Sequence, residues 1–434
     1  MQTRRTFLGR LAGLAATVGL APRELTARSS APYIEHSEQN FDIAVIGAGM
    51  FGSAAARYLS AVAEGIALIG PQEPRDGESH SGVFASHYDE TRLTRVVDPD
   101  LIWATLAKRS VARYRELERA SGIEFYSESG YMMVTPGGGA REWFDFPAMR
   151  AVARDLNVEL NELDDVALKN RFPTLRFTPG SVGLLQQRDA GIINPRRLVA
   201  AQQKVARAQG TTLIREVVVG LRPTGTGVEI QTRSGDTLNA NRVLLATGAY
   251  ANANNLLPRE LDMQIRAAMV MLAEVPQETD FDWPSILYVK TDGAEPFWGL
   301  LMPPVTYPDG RRYVKTMDDY YGPRSLSSSA ELGSWYQSHG HQNHYSVLQR
   351  ALEEIAPTLQ ISGTRFVPCL IADSATHYPY IDMISERIGV VAGGNGKGAK
   401  SSDEIGRLGA EMIRTGDWPP SLPEALFSAR IMKR

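Results

Sequence analysis

Two glycine-rich segments have the residue types and spacing that bind anionic ligands through the backbone. Gly47, Gly49 and Gly52 form the pattern G-x-G-x-x-G directly after an apolar stretch. In such a pattern the first glycine permits a tight turn, the second lets the backbone approach a pyrophosphate, and the third lets a helix pack closely on a strand. The second segment, residues 393–400, also carries two lysines. Together they predict a site for an extended anionic or electron-accepting ligand, larger than one phosphate.

Each segment needs a strand before it and a helix after it. Residues 41–46 are apolar enough for a buried strand, residues 53–60 have a helical composition, and residues 66–69 are typical of a second strand. A helix here directs free N–H groups and about half a positive charge towards a phosphate. Residues 390–392 and 403–413 repeat the strand and helix around the second segment. The pattern predicts a dinucleotide-binding unit, with a glycine-rich turn that binds nothing as the alternative.

Other stretches predict helices and antiparallel strands. Residues 79–95 are polar and predict a loop, whereas residues 99–120 predict one amphipathic helix. Short strand-like runs from residue 211 to residue 231 predict an antiparallel meander, which leads into a buried strand that ends at Thr247 and Gly248. Further strand-like runs in residues 263–317 predict a second antiparallel region.

Composition excludes several classes of function. The net charge of -3 provides no basic surface for nucleic acid, and no apolar run is long enough to span a bilayer. The single cysteine, Cys369, excludes an intramolecular disulfide framework. Residues 338–344 contain three clustered histidines, but their loop-like setting favours a solvated segment, and we predict no metal site. A chain of 434 residues can hold two domains, or one domain with a large insertion.

The N-terminus predicts a targeting segment. Arg4 and Arg5 form a twin-arginine pattern, which is followed by an apolar region at residues 11–20 and by small residues suited to cleavage at 29–31. Twin-arginine export moves folded proteins and therefore suits a chain that must acquire a large ligand before it leaves the cytoplasm. We predict that residues 1–31 are a signal segment and that the protein is exported, to the periplasm or beyond. A chance basic start before an amphipathic helix is the alternative.

The end of the second strand departs from the usual dinucleotide-binding pattern. Such folds usually place an acid there to hold the ribose hydroxyls, but this sequence has Gly70. Glu73 is the nearest carboxylate. The ribose contact therefore stays open.

Four segments together carry a resemblance to a known family. They are residues 47–52 (GAGMFG), 90–95 (ETRLTR), 369–382 and 392–402 (AGGNGKGAKSS). Over residues 40–415 the chain resembles the FAD-dependent amine and amino-acid oxidases related to D-amino-acid oxidase. Within that family it is most similar to the branch of monomeric sarcosine oxidase and N-methyltryptophan oxidase.

The resemblance implies a mixed α/β (α+β) fold of two domains. A Rossmann-type FAD-binding domain would comprise residues 40–125, 181–262 and 365–425. A substrate-binding domain built on an antiparallel sheet would comprise residues 126–180 and 263–364.

The resemblance also implies which residues bind FAD. The implied set is Gly47, Gly49, Met50, Phe51, Gly52, Arg92, Thr247, Gly248, Cys369, Gly394, Asn395, Gly396, Lys397 and Gly398. Arg92 would lie beside the flavin. Cys369 falls where the family attaches its flavin through a thioether to the 8α-methyl group, which makes covalent FAD a prediction to test. The attacking group would be a thiolate, which needs positive charge nearby; a buried, unreactive cysteine is the alternative.

The implied catalytic residues are Lys315, Arg95, Lys400, Trp298 and Asp319. Lys315 matches the lysine that activates oxygen, and Arg95 and Lys400 match the pair that grips the substrate carboxylate. Trp298 and Asp319 stand where sarcosine oxidases have an active-site tyrosine and histidine. These two changes leave open whether the substrate is sarcosine, a bulkier secondary amine, or an N-methyl or cyclic amino acid. Solvated surface positions are the alternative for the charged residues.

The expected activity is that of an exported, monomeric oxidase of a small-molecule amine or amino acid. A hydride would pass from the C–N carbon to flavin N5 and leave an imine that hydrolyses to a carbonyl, and reoxidation of the flavin by O₂ would give H₂O₂. A dehydrogenase that passes electrons to a quinone or carrier protein is the second hypothesis, against which Lys315 argues. A non-catalytic FAD-binding protein is the third, against which Arg95 and Lys400 argue.

Overall fold

The structure is a computed structural model, and it describes residues 40–74, 79–137, 139, 144–253, 256–279, 281–293, 297–318, 321–324, 326–338 and 342–433. The predicted signal segment, residues 1–31, lies outside the described residues. So do Asp319 and two of the three clustered histidines, His339 and His341.

Helices form where apolar residues recur on one face. They are α1 (Met50–Ser60), α2 (Leu101–Val111), α3 (Tyr114–Ser121), α4 (Phe146–Asp155), α5 (Asp165–Arg171), α6 (Pro195–Ala208), α7 (Ser329–Gln337), α8 (Gln342–Ile355) and α9 (Gly398–Thr415). The helix predicted for residues 99–120 is two helices, α2 and α3. The break between them places Arg113 so that its guanidinium meets the buried carboxylates of Asp403 and Glu404 on α9. Within the described residues, no helix is long and apolar enough to cross a membrane.

The strands are β1 (Asn40–Ile46), β2 (Ile66–Ile69), β3 (Arg92–Thr94), β4 (Tyr126–Ser127), β5 (Tyr131–Pro136), β6 (Asn161–Leu163), β7 (Ser181–Gln186), β8 (Gly191–Ile193), β9 (Thr212–Ile214), β10 (Val218–Pro223), β11 (Val228–Thr232), β12 (Thr237–Leu245), β13 (Met263–Val275), β14 (Ser285–Lys290), β15 (Phe297–Thr306), β16 (Arg312–Asp318), β17 (Tyr321–Arg324), β18 (Gly363–Ser374), β19 (Tyr380–Met383) and β20 (Ile388–Ala392). In the described part of the chain they form an eight-stranded, a nine-stranded and a three-stranded sheet.

The eight-stranded sheet has a parallel core in the order β9-β2-β1-β12-β20. This is the Rossmann arrangement that the glycine pattern predicted, with α1 returning the chain from β1 to β2. The meander predicted from residue 211 is wrong for β9, which pairs in parallel with the edge of β2. Helix α6 precedes β9 and covers the crossover that parallel pairing requires. Strands β10, β11 and β12 are antiparallel, as expected.

The nine-stranded sheet is largely antiparallel and runs β17-β13-β16-β15-β14-β5-β7-β6, with β18 on the other edge of β13. Only β5 and β14 of this sheet pair in parallel among the described strands. The fold class is thus confirmed: a Rossmann-type domain and an antiparallel-sheet domain. Strands β7 and β18 belong to the second sheet, while the predicted domain boundaries themselves stay a prediction.

Strand β13 positions two of the predicted site residues. Cys369 on β18 lies opposite Ala268 on one side of β13, and Lys315 on β16 lies opposite Leu272 on the other. In the three-stranded sheet, β3 pairs with β8 and carries Arg92. The loop predicted for residues 79–95 therefore ends in a short strand, which fixes the direction of the arginine.

Candidate active site

A cavity of about 910 Å³ collects most of the predicted site residues. Its walls are the two glycine-rich turns and strands β13, β15, β16 and β18. The predicted residues that line it are Gly47, Gly49, Met50, Phe51, Arg92, Arg95, Thr247, Gly248, Trp298, Lys315, Cys369, Gly394, Gly396, Lys397, Gly398 and Lys400. Gly52 and Asn395 are not in its lining. Asp319 is outside the described residues, although its neighbour Asp318 borders the cavity.

Two helices start at the cavity without side-chain caps. Helix α1 begins after Gly49 and α9 after Lys397, and neither position makes a side-chain cap hydrogen bond. Their first N–H groups are therefore available to an anion. A Cβ on Gly49 would meet only His87 Nδ1, at 3.9 Å, so the surface of the turn is open. These residues fit the pyrophosphate of a dinucleotide such as FAD.

The remaining glycines of the first turn serve its geometry. Gly47 has a φ of +110°, and a Cβ there would collide with the carbonyl group of Ala246. A Cβ on Gly52 would collide with the carbonyl oxygen of Gly47. Gly52 thus allows α1 to pack on the turn, which is the reason that the spacing rule gives for it.

Asn395 holds the second turn in place. Its φ of 49° is left-handed. Its Oδ1 accepts a hydrogen bond from the backbone N of Ser374 at 2.9 Å, and its Nδ2 donates to the carbonyl of Gly393 at 2.8 Å. The side chain therefore anchors the turn to β18.

No side chain fits at the position of Gly70. A Cβ there would come within 2.6 Å of the backbone N of Ala48. The strand end thus lies too close to the G-x-G turn to carry the usual ribose-binding acid. Glu73, the nearest carboxylate, accepts a hydrogen bond from Arg196 at 2.6 Å, and Arg196 also binds Glu90.

His87 also lines the cavity, although no pattern in the sequence points to it. Its Nδ1 is buried and has no hydrogen-bond partner among the described residues. Burial, with the charges of Arg196 and Arg92, lowers the pKa of His87 to about 3, so the ring is neutral at physiological pH. A neutral imidazole beside Gly49 can donate or accept a hydrogen bond from a ligand in the turn.

Lys315 is 2% exposed, which excludes the solvated alternative. Its Nζ donates to Oδ2 of Asp89 at 2.6 Å and to the carbonyl of Thr91 at 2.7 Å. Arg92 forms an ion pair with the same Asp89 oxygen, and the hydroxyl of Tyr307 donates to the other at 2.8 Å. Burial, with Arg92 nearby, lowers the pKa of Lys315 well below its usual value, whereas a negative charge on Cys369 would raise this pKa. The ion pair with Asp89 favours the charged ammonium.

Asp98, also missed by the sequence analysis, gathers three cations. Lys397 Nζ lies 2.9 Å from Oδ1, while Lys400 Nζ and an Arg95 nitrogen lie 3.0 and 3.1 Å from Oδ2. Burial raises the pKa of Asp98, but the three cations outweigh it and hold this pKa far below its usual value. Burial, together with Arg95 and Lys397, lowers the pKa of Lys400 to about 7 against the opposing effect of Asp98. Tyr131 adds its ring face, 4.8 Å from the Arg95 guanidinium.

Cys369 lies half-buried in the cavity wall. Its carbonyl accepts a hydrogen bond from Trp335 Nε1 at 3.0 Å. Lys315 borders the same cavity, and a negative charge on the Cys369 sulfur would raise the pKa of Lys315.

Trp298 lines the open part of the cavity and is 39% exposed. It is paired with Val289 across β14 and β15. The lining around it includes Phe144, Leu287 and Leu300, so this part of the wall is apolar.

Metal binding has no support in the described part of the chain. No group of three or more His, Cys, Asp or Glu side chains is arranged there to hold an ion. His339 and His341 of the clustered histidines lie outside the described residues.

Several known proteins are similar to this chain. The chain is 34% identical over 221 residues to a monomeric sarcosine oxidase from Streptomyces avermitilis, and the match covers 49% of this chain and 52% of that protein. This chain thus spans about half the length of that relative. A monomeric sarcosine oxidase from Bacillus sp. (strain B-0618) is 23% identical over 387 residues, which cover 87% of this chain and 93% of that protein.

Among solved structures, NikD, described as an unusual amino acid oxidase essential for nikkomycin biosynthesis, superposes with a TM-score of 0.74. The match covers 91% of this chain and 98% of NikD at 19% identity, a level at which the likeness shows the fold. The family described as FAD dependent oxidoreductase, DAO, matches residues 42–412. That match spans both glycine-rich turns, Lys315 and the Asp98 cluster, and the chain therefore belongs to the DAO family of FAD-dependent oxidoreductases.

Proposed function

We propose that this protein is an exported oxidase of a secondary amine or of an N-methyl or cyclic amino acid. The observation that carries the proposal is the buried cluster around Asp98, in which three cations face one carboxylate. The cluster shares a cavity with Lys315 and both glycine-rich turns.

The charge of the cluster suits a carboxylate ligand. With Lys400 protonated, Arg95, Lys397 and Lys400 outnumber Asp98 by two charges. Excess charge in a buried site is costly unless a counter-ion binds. Arg95 also retains a buried Nε without a hydrogen-bond partner among the described residues. An arginine and a lysine together can fix a carboxylate and so orient the adjacent carbon of the substrate.

FAD, when bound, would supply the redox chemistry: two-electron oxidation of the C–N bond, which leaves an imine that hydrolyses to a carbonyl, and reduction of O₂ to H₂O₂. The chain supplies binding and electrostatics. The open N-termini of α1 and α9 direct partial positive charge into the cavity. Lys315 and Arg92 outnumber Asp89 by one charge, and a fixed cation of this kind stabilises superoxide, the first product of oxygen reduction.

The names of the relatives indicate the chemical class of the substrate, and the apolar wall of the cavity indicates the size of its apolar group. Relatives named sarcosine oxidase and amino acid oxidase are consistent with an amine or amino-acid substrate. Trp298, Phe144 and Leu287 offer an apolar surface that a methyl group alone would leave largely uncovered. This surface favours a substrate with a bulkier apolar group.

Three further features belong to the proposal. Cys369 would attach the flavin covalently, supported by its place in the cavity wall near Lys315. Residues 1–31 would direct export to the periplasm or beyond, supported by the twin-arginine pattern. The protein would act as a monomer with O₂ as its electron acceptor.

One observation favours a second candidate. Lys315 is paired with Asp89, which reduces the positive charge available to oxygen. A dehydrogenase that passes electrons to a quinone or carrier protein would not need that charge.

A flavin absorbance experiment tests both candidates. The holoenzyme is mixed anaerobically with N-methyl and cyclic amino acids and with their decarboxylated amines. We expect an amino acid to bleach the flavin faster than its amine, and admitted O₂ to restore the colour with one H₂O₂ per turnover. Absence of bleaching by any compound would exclude the proposal. Slow recovery in O₂ with fast recovery in a quinone would establish the dehydrogenase.

A further inference from the structure

Both oxygens of Asp98 are used. Oδ1 accepts from Lys397 Nζ at 2.9 Å and from the backbone N of Asp100 at 3.2 Å, and Oδ2 accepts from Lys400 Nζ at 3.0 Å and lies 3.1 Å from Arg95. The carboxylate is fully buried. A buried carboxylate with this many charged partners is fixed in position.

The cations that Asp98 gathers come from distant parts of the sequence. Arg95 follows β3, whereas Lys397 and Lys400 stand at the start of α9. Both kinds of side chain are long and lose much rotamer freedom when they are held. Since Arg95 and Lys400 meet at one oxygen, Asp98 fixes the separation between them.

Arg95 keeps binding capacity in this arrangement. One of its nitrogens donates to the carbonyl of Val97 and another contacts Asp98, while Nε has no partner among the described residues. Lys400 donates to Asp98 alone among the described side chains, although an ammonium has three protons to give. Both residues line the cavity.

We propose that Asp98 is a positioning residue that holds Arg95 and Lys400 as a preformed receptor for one carboxylate of the substrate. This inference rests on the proposed function. Without Asp98, three buried cations would repel one another and move apart. With it, the cluster keeps a net positive charge, and the two gripping groups are already in place before the ligand arrives, which lowers the cost of binding.

Binding of acetate to the holoenzyme, followed by ligand-observed NMR, tests the proposal without any turnover. Acetamide serves as the neutral ligand of nearly equal shape. We expect Asp98→Asn to weaken acetate binding by about tenfold or more, the effect of losing a charged contact, while acetamide is unaffected. Asp100→Asn is the matched control, since the side chain of Asp100 caps α2 and binds Tyr378 instead of the cations. It should leave acetate binding unchanged.

A double variant keeps the test informative if Asp98→Asn fails to fold. Asp98→Asn with Lys400→Met removes one charge of each sign and preserves the net charge of the cluster. If Asp98 acts by placing Arg95 and Lys400, its removal should cost less acetate affinity in the Lys400→Met background than in wild type, because only Arg95 is left to be displaced. The proposal is overturned if Asp98→Asn binds acetate as well as wild type or better, if it loses acetamide equally, or if its effect on acetate is undiminished in the Lys400→Met background. Failure of every amine to bleach the flavin would instead count against the proposed function and leave the acetate result standing.

Discussion

The Nζ atom of Lys315 lies 2.6 Å from the Oδ2 atom of Asp89, and both residues are buried. The lysine is therefore held in one position by a carboxylate that Arg92 also contacts. Its ammonium is a fixed charge, and a fixed charge needs no rearrangement when oxygen is reduced beside it.

Lys315→Met should slow reoxidation of the reduced flavin by O₂ by about 100-fold or more, because one preorganised charge is typically worth ~3–4 kcal/mol in the transition state. Reduction of the flavin by substrate should change much less. Stopped-flow measurement of each half-reaction checks this. Lys315→Arg, which keeps the charge, should retain more of the oxygen reactivity. Equal losses in both half-reactions would remove Lys315 from its proposed role.

Cys369→Ala should convert a covalent cofactor into a dissociable one. Acid precipitation of the wild-type protein should leave the yellow colour in the pellet, whereas the variant should release it to the supernatant. Cys369 is the single cysteine of the sequence, so no other thiol can take its place. A colourless wild-type pellet would show that the flavin is held without a covalent bond.

Carboxylate binding should depend on pH through Lys400. The pKa of Lys400 is about 7, so its ammonium is charged below that pH and neutral above it, in surroundings made by Asp98, Arg95 and Lys397. Acetate stays ionised from about pH 6 to 9. Acetate affinity should therefore fall as pH rises above 7, by up to about tenfold per pH unit. Lys400→Arg should flatten the profile, because guanidinium stays charged; an unchanged slope would assign the titration to another group.

Variants of Gly49 and Gly52 should show that the first glycine serves FAD binding and the second serves the packing of α1. Gly49→Ala should fold, since only His87 lies near the added methyl, yet it should lose FAD affinity because that methyl stands where a pyrophosphate must approach. Gly52→Ala should fail to fold or be strongly destabilised, because its methyl meets the carbonyl of Gly47. Circular dichroism and flavin retention after gel filtration measure both effects. Full flavin retention in a folded Gly49→Ala protein would refute this assignment.

Glu404 should be a major source of stability. Its carboxylate is fully buried and contacts Arg113, Arg109 and Arg407 at 2.5, 3.2 and 2.8 Å. Glu404→Gln should lower the free energy of unfolding by ~1.5–3 kcal/mol at neutral pH, because it leaves three partly exposed arginines without their buried carboxylate partner. Urea titration measures this change.

The same contacts predict how the effect of Glu404 varies with pH. Burial raises the pKa of Glu404, but Arg407 and Arg113 bring it below its usual value. Its contribution is therefore present above the unfolded pKa and is lost as pH falls through the lower folded pKa. The difference between wild type and Glu404→Gln should shrink in acid. Glu159→Gln, in an exposed pair with Arg188, should have little effect at either pH.

The spacing of glycines in the sequence predicted those parts of the site that lie within a single strand-to-helix turn. The spacing of Gly47, Gly49 and Gly52 is enough to place a turn between β1 and α1, since each glycine answers a steric need of that turn. The second glycine-rich segment was found for the same reason. The resemblance to oxidases added Arg95, Lys315 and Lys400, and the fold brings these three into one cavity.

Partners far apart in the sequence could not be predicted in the same way. Asp89 and Asp98 sit in short polar stretches that look solvated, and their buried state depends on lysines more than 200 residues away. For Asp98, the two apolar residues directly before it, Val96 and Val97, were the available signal of burial. Strand β9 was assigned to the wrong neighbours because a three-residue strand carries no information about its pairing partner.

Helix α9 carries cavity-lining residues at its start and, one turn later, buried carboxylates that bind arginines. Lys397 and Lys400, at its start, line the cavity, whereas Asp403 and Glu404 are buried against arginines of α1, α2 and the turn before α3. An anion that binds at the first turn of α9 therefore also stabilises the helix whose carboxylates hold α1 and α2 in place. If the chain leaves the cytoplasm already folded, as proposed, then flavin binding before export sets the stability of the exported form. A copy without its flavin would then be the less stable molecule at the moment of export.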